Sequence, residues 1–505
     1  MTNRKLRHAC AACVAFVVLA GTAALAANWP QHRGNSPHTA AITAPTPNML
    51  VPLWSVRFYQ QVIDDTTYKP GITSSPAVVN GVVYIGCQNT KFYALDASTG
   101  SQLWEYPANS PIESSPMVRD GVVYFVSDNG NLTALNTANG AEIWKFNSGG
   151  WQDRVSPNIS GTNVVCGAAY PKTHIYAVPV NSSGSAAEAW RVTTSQFVHS
   201  SPAVDPATGN IFCGSNDGKI YAIKPDGTNL WPGPFSTIGG ILRASPTIAN
   251  DKVYISGGDY DWALHAIDAV TGTLVWNAPM VPKPDYPSYY YRGIQVSSPA
   301  VDNDFIAIIG GYGKKDMGPS TLYAFRDNGT SATQLWTLSL PNSVGVNYVS
   351  SPALTPSSVV VGVAENVGYT PTQGHIYVAD RETGQAHWYQ SGLPTLVGGP
   401  ILSSVAIADD LLVAADINGQ VTAYRLAVPG DMDSDLMNTV RDVVVMGAYS
   451  SDTGIANQQT TDRADVEPAN TPRTDGTRSF GNSLITPADA DRVLKRALGL
   501  ETRWP

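Results

Sequence analysis

Short apolar runs of strand length recur along this chain at a nearly fixed interval. The fullest copy sets Val82-Val83-Tyr84-Ile85 and Phe92-Tyr93-Ala94-Leu95 between the turn signals Asn80-Gly81 and Asp96-Ala97-Ser98-Thr99-Gly100. β-Branched and aromatic runs bounded by Gly, Asn and Asp predict strands joined by tight turns. The pairs Asp120-Gly121 and Asp217-Gly218 mark further turns, and the longer turn returns at Asp268–Gly272 and Asp380–Gly384. Each copy opens on Ser-Pro: Ser75-Pro76, Ser115-Pro116, Ser156-Pro157, Ser201-Pro202, Ser245-Pro246, Ser298-Pro299 and Ser351-Pro352, with Ser403-Ser404-Val405 as a degraded eighth. Each closes on tryptophan, at positions 104, 144, 190, 231, 276, 336 and 388.

A period of roughly 40–50 residues built from short strands predicts a β-propeller with one blade per copy. Ser-Pro-Ala-Val reads as the innermost strand, with proline where no ladder donor is needed. The eighth copy lacks its closing tryptophan, and an unpartnered one, Trp54, precedes the first. The segment around Trp54 therefore supplies the outer strand of the last blade and closes the ring between the two chain ends. The fold class is all-β: eight four-stranded blades over residues 27–428. The tryptophans are expected to lie between blades, with each N–H on a backbone acceptor.

Composition fits that reading. Charged residues make up 14% of the chain, and Gly and Pro are plentiful. The net charge of −9, without a basic stripe, argues against a nucleic-acid partner. Residues 1–26 read as a signal peptide: Arg4-Lys5-Leu6-Arg7, an apolar run from Ala9 to Ala20, then Ala24-Leu25-Ala26. The run is short for a membrane span, so the mature chain is expected to have none and to be secreted to a periplasmic, cell-surface or extracellular location. Thr22 stands where a lipoprotein would carry cysteine. Cys87, Cys166 and Cys213 read as buried free thiols, with a Cys166–Cys213 bridge left open.

Residues 429–505 change character. Asp431, Asp433, Asp435, Thr439 and Asp442 stand at positions one, three, five, nine and twelve of a calcium-type loop, ahead of a short helix. A second, interrupted unit offers Asp465, Glu467, either Asn470 or Asp475, Thr486 and Asp489 before a helix over 490–500. Two loop–helix units, each ending Thr-x-x-Asp, resemble a type I dockerin. That resemblance implies a small α-helical domain, bound calcium and a cohesin-like protein partner. Leu436 replaces the glycine of the loop, and Val440-Arg441 and Pro487-Ala488 replace the usual Ser-Thr recognition pair.

The eightfold phrase, with Trp29-Pro30-Gln31-His32-Arg33-Gly34, resembles the pyrroloquinoline-quinone-type repeat propellers. That family has a branch of calcium- and quinone-dependent alcohol dehydrogenases and a non-catalytic branch that includes BamB. The dehydrogenase branch implies a quinone between a tryptophan and a vicinal disulfide, beside calcium and a carboxylate base. The mature chain has no adjacent cysteines, and no inner strand carries a tryptophan two or three residues from its Ser-Pro landmark, which argues against the quinone and against catalytic residues. The residues before each Ser-Ser-Pro phrase are expected to face the funnel. Thr73, Glu113, Arg154, His199 and Arg243 form a polar half, opposite Val296, Val349 and Leu402. The loop Gly149–Asp153 stands ready to cover that half. The favoured reading is a non-catalytic scaffold with possible protein or glycan binding on its faces. A quinoprotein dehydrogenase and a BamB-like assembly factor are the alternatives.

Overall fold

The computed structural model describes residues 28–43, 49–58, 71–152, 154–237, 244–257, 261, 263–280, 295–311, 320–340, 350–367, 370–389 and 399–427. The signal segment and the whole calcium-type tail lie outside the described residues. Within them the strands form eight sheets, each with four consecutive antiparallel strands at its heart. Blade 1 pairs Ala77–Val79, Val82–Gly86, Lys91–Asp96 and Gln102–Pro107 in order. Its two middle strands are buried and its outer strand is half-exposed, which places the apolar runs between neighbouring blades.

Blade 8 joins the chain ends. Met49–Arg57 pairs antiparallel with Gln420–Ala427, outside Leu411–Ala415 and Ala406–Ala408. The displaced Trp54 lies on that outer strand, as its position before the first repeat predicts. Its indole N–H donates to the Ala97 carbonyl of blade 1 at 2.8 Å. The same bond, from the outer strand of one blade to the turn of the next, is made by Trp104, Trp144, Trp190, Trp231 and Trp336 at 2.9–3.2 Å. Trp276 donates instead to the carboxylate of Asp327. The rings of Trp54, Trp104, Trp190, Trp231 and Trp336 each pack on a glycine of the next blade's turn. A Cβ on Gly272, which has φ +75°, would stand 2.6 Å from Trp231. The turn is pinned by its first residue: Asp268 Oδ1 accepts from the backbone N–H of Val270 and Thr271 and from the Thr271 hydroxyl.

The Ser-Pro landmark does not form the innermost strand, which begins at the residue that follows it. In each blade the landmark serine accepts, through Oγ, the backbone N–H of the landmark serine one blade earlier. The bonds run Ser75 to Ser115, Ser156, Ser201, Ser245, Ser298, Ser351, Ser404 and back to Ser75, all at 2.8–3.1 Å. The degraded eighth copy keeps its serine and so completes the circle. The preceding serine bonds within its own blade, as Ser114 does with the N–H and carbonyl of Val126. Asn80-Gly81 and Asp120-Gly121 are two-residue hairpins with both φ positive. Asp217-Gly218 differs: it joins the second and third strands of blade 4, and only its glycine has positive φ.

Residues 29–42 are not part of any blade. They run as a strap across one end of the ring, taking one or two bonds from successive inner strands. Trp29 exchanges both backbone bonds with Val78 of blade 1, and Val118 of blade 2 donates to Pro30. Asn158 of blade 3 donates its side-chain amide to Ser36. Val204, Ile248, Val301 and Leu354 of blades 4 to 7 donate backbone N–H groups to Ser36, Pro37, Thr39 and Ala40. These inner strands have free edges at the axis, and the strap satisfies donors that a closed ring would leave unpaired.

Removing one link of the serine circle leaves a buried N–H without its acceptor. Ser201→Ala is expected to destabilise the propeller by about 1–3 kcal/mol, read as a lower midpoint in urea denaturation. An unchanged midpoint would show that the circle adds nothing to stability.

Candidate functional site

The end of the ring opposite the strap carries the residues expected at the funnel. Each lead-in segment lies on the turn of the preceding blade. Ile72 donates to Asp416, Ile112 to Cys87, Gln152 to Asp128 and Val198 to Ala168. The side chains that follow are thereby carried to the seams between blades. Glu113 is the centre of one such seam. Its Oε2 accepts from Arg154 Nε at 3.1 Å and its Oε1 from Gln88 Nε2 at 2.5 Å. Three blades meet there, and both charged side chains are about five-sixths buried, at 17% and 16% exposure. Arg154 adopts φ 61°, a left-handed conformation unusual outside glycine.

Thr73 is buried and its hydroxyl has no hydrogen-bond partner. His199 Nδ1 accepts from Asn216 Nδ2 of its own blade at 2.9 Å. Leu402 is half-buried. Arg243, Val349 and the side chain of Val296 lie outside the described residues. The loop expected to cover the funnel is anchored. Trp151 exchanges backbone bonds with Tyr170 and Ala169, and Gln152 is buried against Ser148, Tyr176 and Cys166. The Trp151 ring is 69% exposed. Asp153 lies outside the described residues.

One ionisable group at this end escaped the sequence reading. Asp416, in the second-to-third-strand turn of blade 8, is 2% exposed. It takes the place held by Cys87 in blade 1 and Ser127 in blade 2, as the shared bond across the turn shows: Cys87 to Lys91, Ser127 to Asn131, Asp416 to Gln420. Its carboxylate accepts from the backbone of Asn418 and Gln420. Burial outweighs those bonds and the nearby Arg57, pushing its pKa up to about 6. Only alignment of the turns, not composition, marks this position.

The three thiols are free and buried, so the Cys166–Cys213 bridge is absent. Burial pushes Cys87 up to about 11 and Cys166 up to about 12, and it raises Cys213 as well. Such thiols are poor nucleophiles at neutral pH. They form no vicinal pair: Cys87, Cys166 and Cys213 stand in three different blades. The tryptophans whose side chains are described on outer strands are committed between blades, and Trp29 belongs to the strap. The described residues thus offer no flat pair of the kind the dehydrogenase branch uses. Among them no three His, Cys, Asp or Glu side chains gather at metal-ligating distance.

Comparison with known proteins bears on the same question. The family described as outer membrane protein assembly factor BamB, built on quinone-type repeats, matches residues 51–185 and 182–390. The chain belongs to that family. No curated protein matches the chain in sequence. Among solved structures, BamB from Moraxella catarrhalis is 18% identical with a TM-score of 0.55, and the match covers 75% of this chain and 100% of that one. The quinohemoprotein alcohol dehydrogenase from Comamonas testosteroni is 14% identical with a TM-score of 0.61, covering 80% and 81%. A europium-containing methanol dehydrogenase is 12% identical with a TM-score of 0.57, covering 79% and 98%. At these identities the likeness shows the shared propeller alone, and BamB-family membership does not separate a binding protein from an enzyme. No helix among the described residues is long and apolar enough to cross a membrane.

Asp416 gives the BamB-family fold here a pH signature. An unfolded aspartate titrates near 4, so its raised folded pKa makes the native state pay nothing below about pH 4 and up to about 3 kcal/mol above pH 6. Stability from this group is therefore lost as pH rises through that window. Asp416→Asn is expected to flatten the profile, so urea unfolding of the two proteins at pH 4 to 7 should diverge on the alkaline side. Parallel profiles would contradict the assignment.

Proposed function

We propose that this chain is an exported, non-catalytic propeller that binds a protein partner on its faces and is tethered by a calcium-binding tail. The observation that carries this reading is the state of the funnel. Its best-placed carboxylate, Glu113, is already bonded to Arg154 and Gln88, and no described tryptophan or cysteine pair stands ready to hold a quinone. A base held in an ion pair at a blade seam serves architecture better than proton abstraction. The tail of the proposal rests on sequence. Asp431, Asp433, Asp435, Thr439 and Asp442, with Asp465, Glu467, Asp475, Thr486 and Asp489, would take two calcium ions through hard oxygen ligands. A dockerin-like unit of that kind would engage a cohesin-like partner. An assembly role such as the family's description indicates is the second reading, favoured by the family match.

Two measurements on the full chain test this. With added pyrroloquinoline quinone and calcium, the protein is expected to reduce no dye with alcohols or sugars. Turnover that disappears in Glu113→Gln would overturn the non-catalytic reading. Calorimetry with calcium is expected to show binding that the Asp431→Ala/Asp489→Ala double variant weakens at least tenfold, since each loses a charged ligand. Absence of calcium heat in the parent protein would remove the tether.

A further inference from the structure

The strap carries a charge that the fold leaves without an opposite. Arg33 is 1% exposed, in the middle of the segment that crosses the ring. Its Nε donates to the His38 carbonyl at 3.1 Å and one terminal nitrogen to the Pro299 carbonyl of blade 6 at 2.5 Å. The other terminal nitrogen, Nη1, is buried with no acceptor. No carboxylate pairs with the guanidinium among the described residues. Two backbone carbonyls leave a whole positive charge in a low-dielectric interior, which is costly without a counter-charge.

The groups around it are donors too. His32 Nδ1 lies 3.5 Å from Ser115 Oγ of blade 2, on the opposite side of the ring from Pro299. That hydroxyl also accepts the Ser75 N–H. His32 Nε2 is buried without a partner and is a donor in the tautomer that protonates it. Gln31 is 3% exposed, and its amide nitrogen has no acceptor either. His38 completes the lining, edge-on to His32 at 5.2 Å, with Nδ1 on the Pro246 carbonyl. Burial, more than the neighbouring cations, holds both imidazoles well below their usual range, so both are neutral at physiological pH. The net charge of the cluster is therefore the single charge of Arg33.

We infer that the strap and the serine ring enclose a binding site for a small monovalent anion, held by the Arg33 guanidinium with Gln31 and His32 as neutral donors. Charge points to a monovalent anion such as a halide: buried nitrogens of Arg33, Gln31 and His32 have no partner, and one positive charge is unbalanced. Such an anion would lock the strap across the blade ends, making it a stabilising ligand of the native ring. The inference does not depend on whether the funnel or tail functions as proposed above.

Thermal unfolding of the full chain in chloride against gluconate, at fixed ionic strength, tests it. The midpoint is expected to rise with chloride concentration and level off, and Arg33→Gln to be indifferent to the choice of anion. Should that variant fail to fold, Gln31→Leu keeps the cation and is expected to need on the order of tenfold more chloride for the same rise. Crystals grown in bromide should show an anomalous peak beside Arg33 Nη1. Equal midpoints in the two salts, with water but no bromide at that place, would overturn the site.

Discussion

The structure depends on closing a circle of eight sheets about one axis. The circle of serine bonds does this at the inner rim. Each link ties the backbone of one blade to a side chain of the next, so a blade cannot slide along the axis or drop out of register without exposing two polar groups. Five of the tryptophans do the same at the outer rim through a different interaction, a flat ring over a glycine with its N–H on a turn carbonyl. One rim is polar and narrow, the other apolar and wide. Together they fix the tilt of each blade, which neither could do alone. Blade 8 shows how strong the constraint is: two distant parts of the chain supply its strands, and the serine circle still closes.

This architecture allocates polar residues differently at the two ends. At the lead-in end, segments cross from blade to blade and carry Glu113, Arg154 and Gln88 to a common seam, where they neutralise one another. At the other end the inner strands have free edges, and the strap covers them with backbone bonds. The strap brings Arg33 into the middle of the ring with no acidic partner. The charge at one end is balanced within the fold, and the charge at the other is not.

The rest of the funnel explains why likeness of fold leaves function open. The same propeller is found in a quinohemoprotein alcohol dehydrogenase and in a BamB, whose family is described as an assembly factor. What separates such uses is the identity of a few inward side chains. Here the three thiols are shut inside strands, and the indoles whose side chains are described are spent on blade packing or on the strap, apart from the exposed Trp151.

Sequence alone determined what depends on local pattern. Strand runs, paired turn residues and a recurring tryptophan carry their meaning within a few tens of residues, so the number of blades, the closure through Trp54 and the burial of the cysteines were all legible. The tertiary structure decided what depends on residues far apart in the chain meeting at the axis. Ser75 and Ser404 are 329 positions apart and share a hydrogen bond. Glu113 and Arg154 belong to adjacent blades, and their pairing follows from the crossing of lead-in segments, which no periodicity records. Trp29–Gly34 reads in sequence only as a family marker. Its place across the ring, and the isolation of Arg33, follow from the need of seven inner strands for partners at a free edge, a need that exists only once the ring has closed.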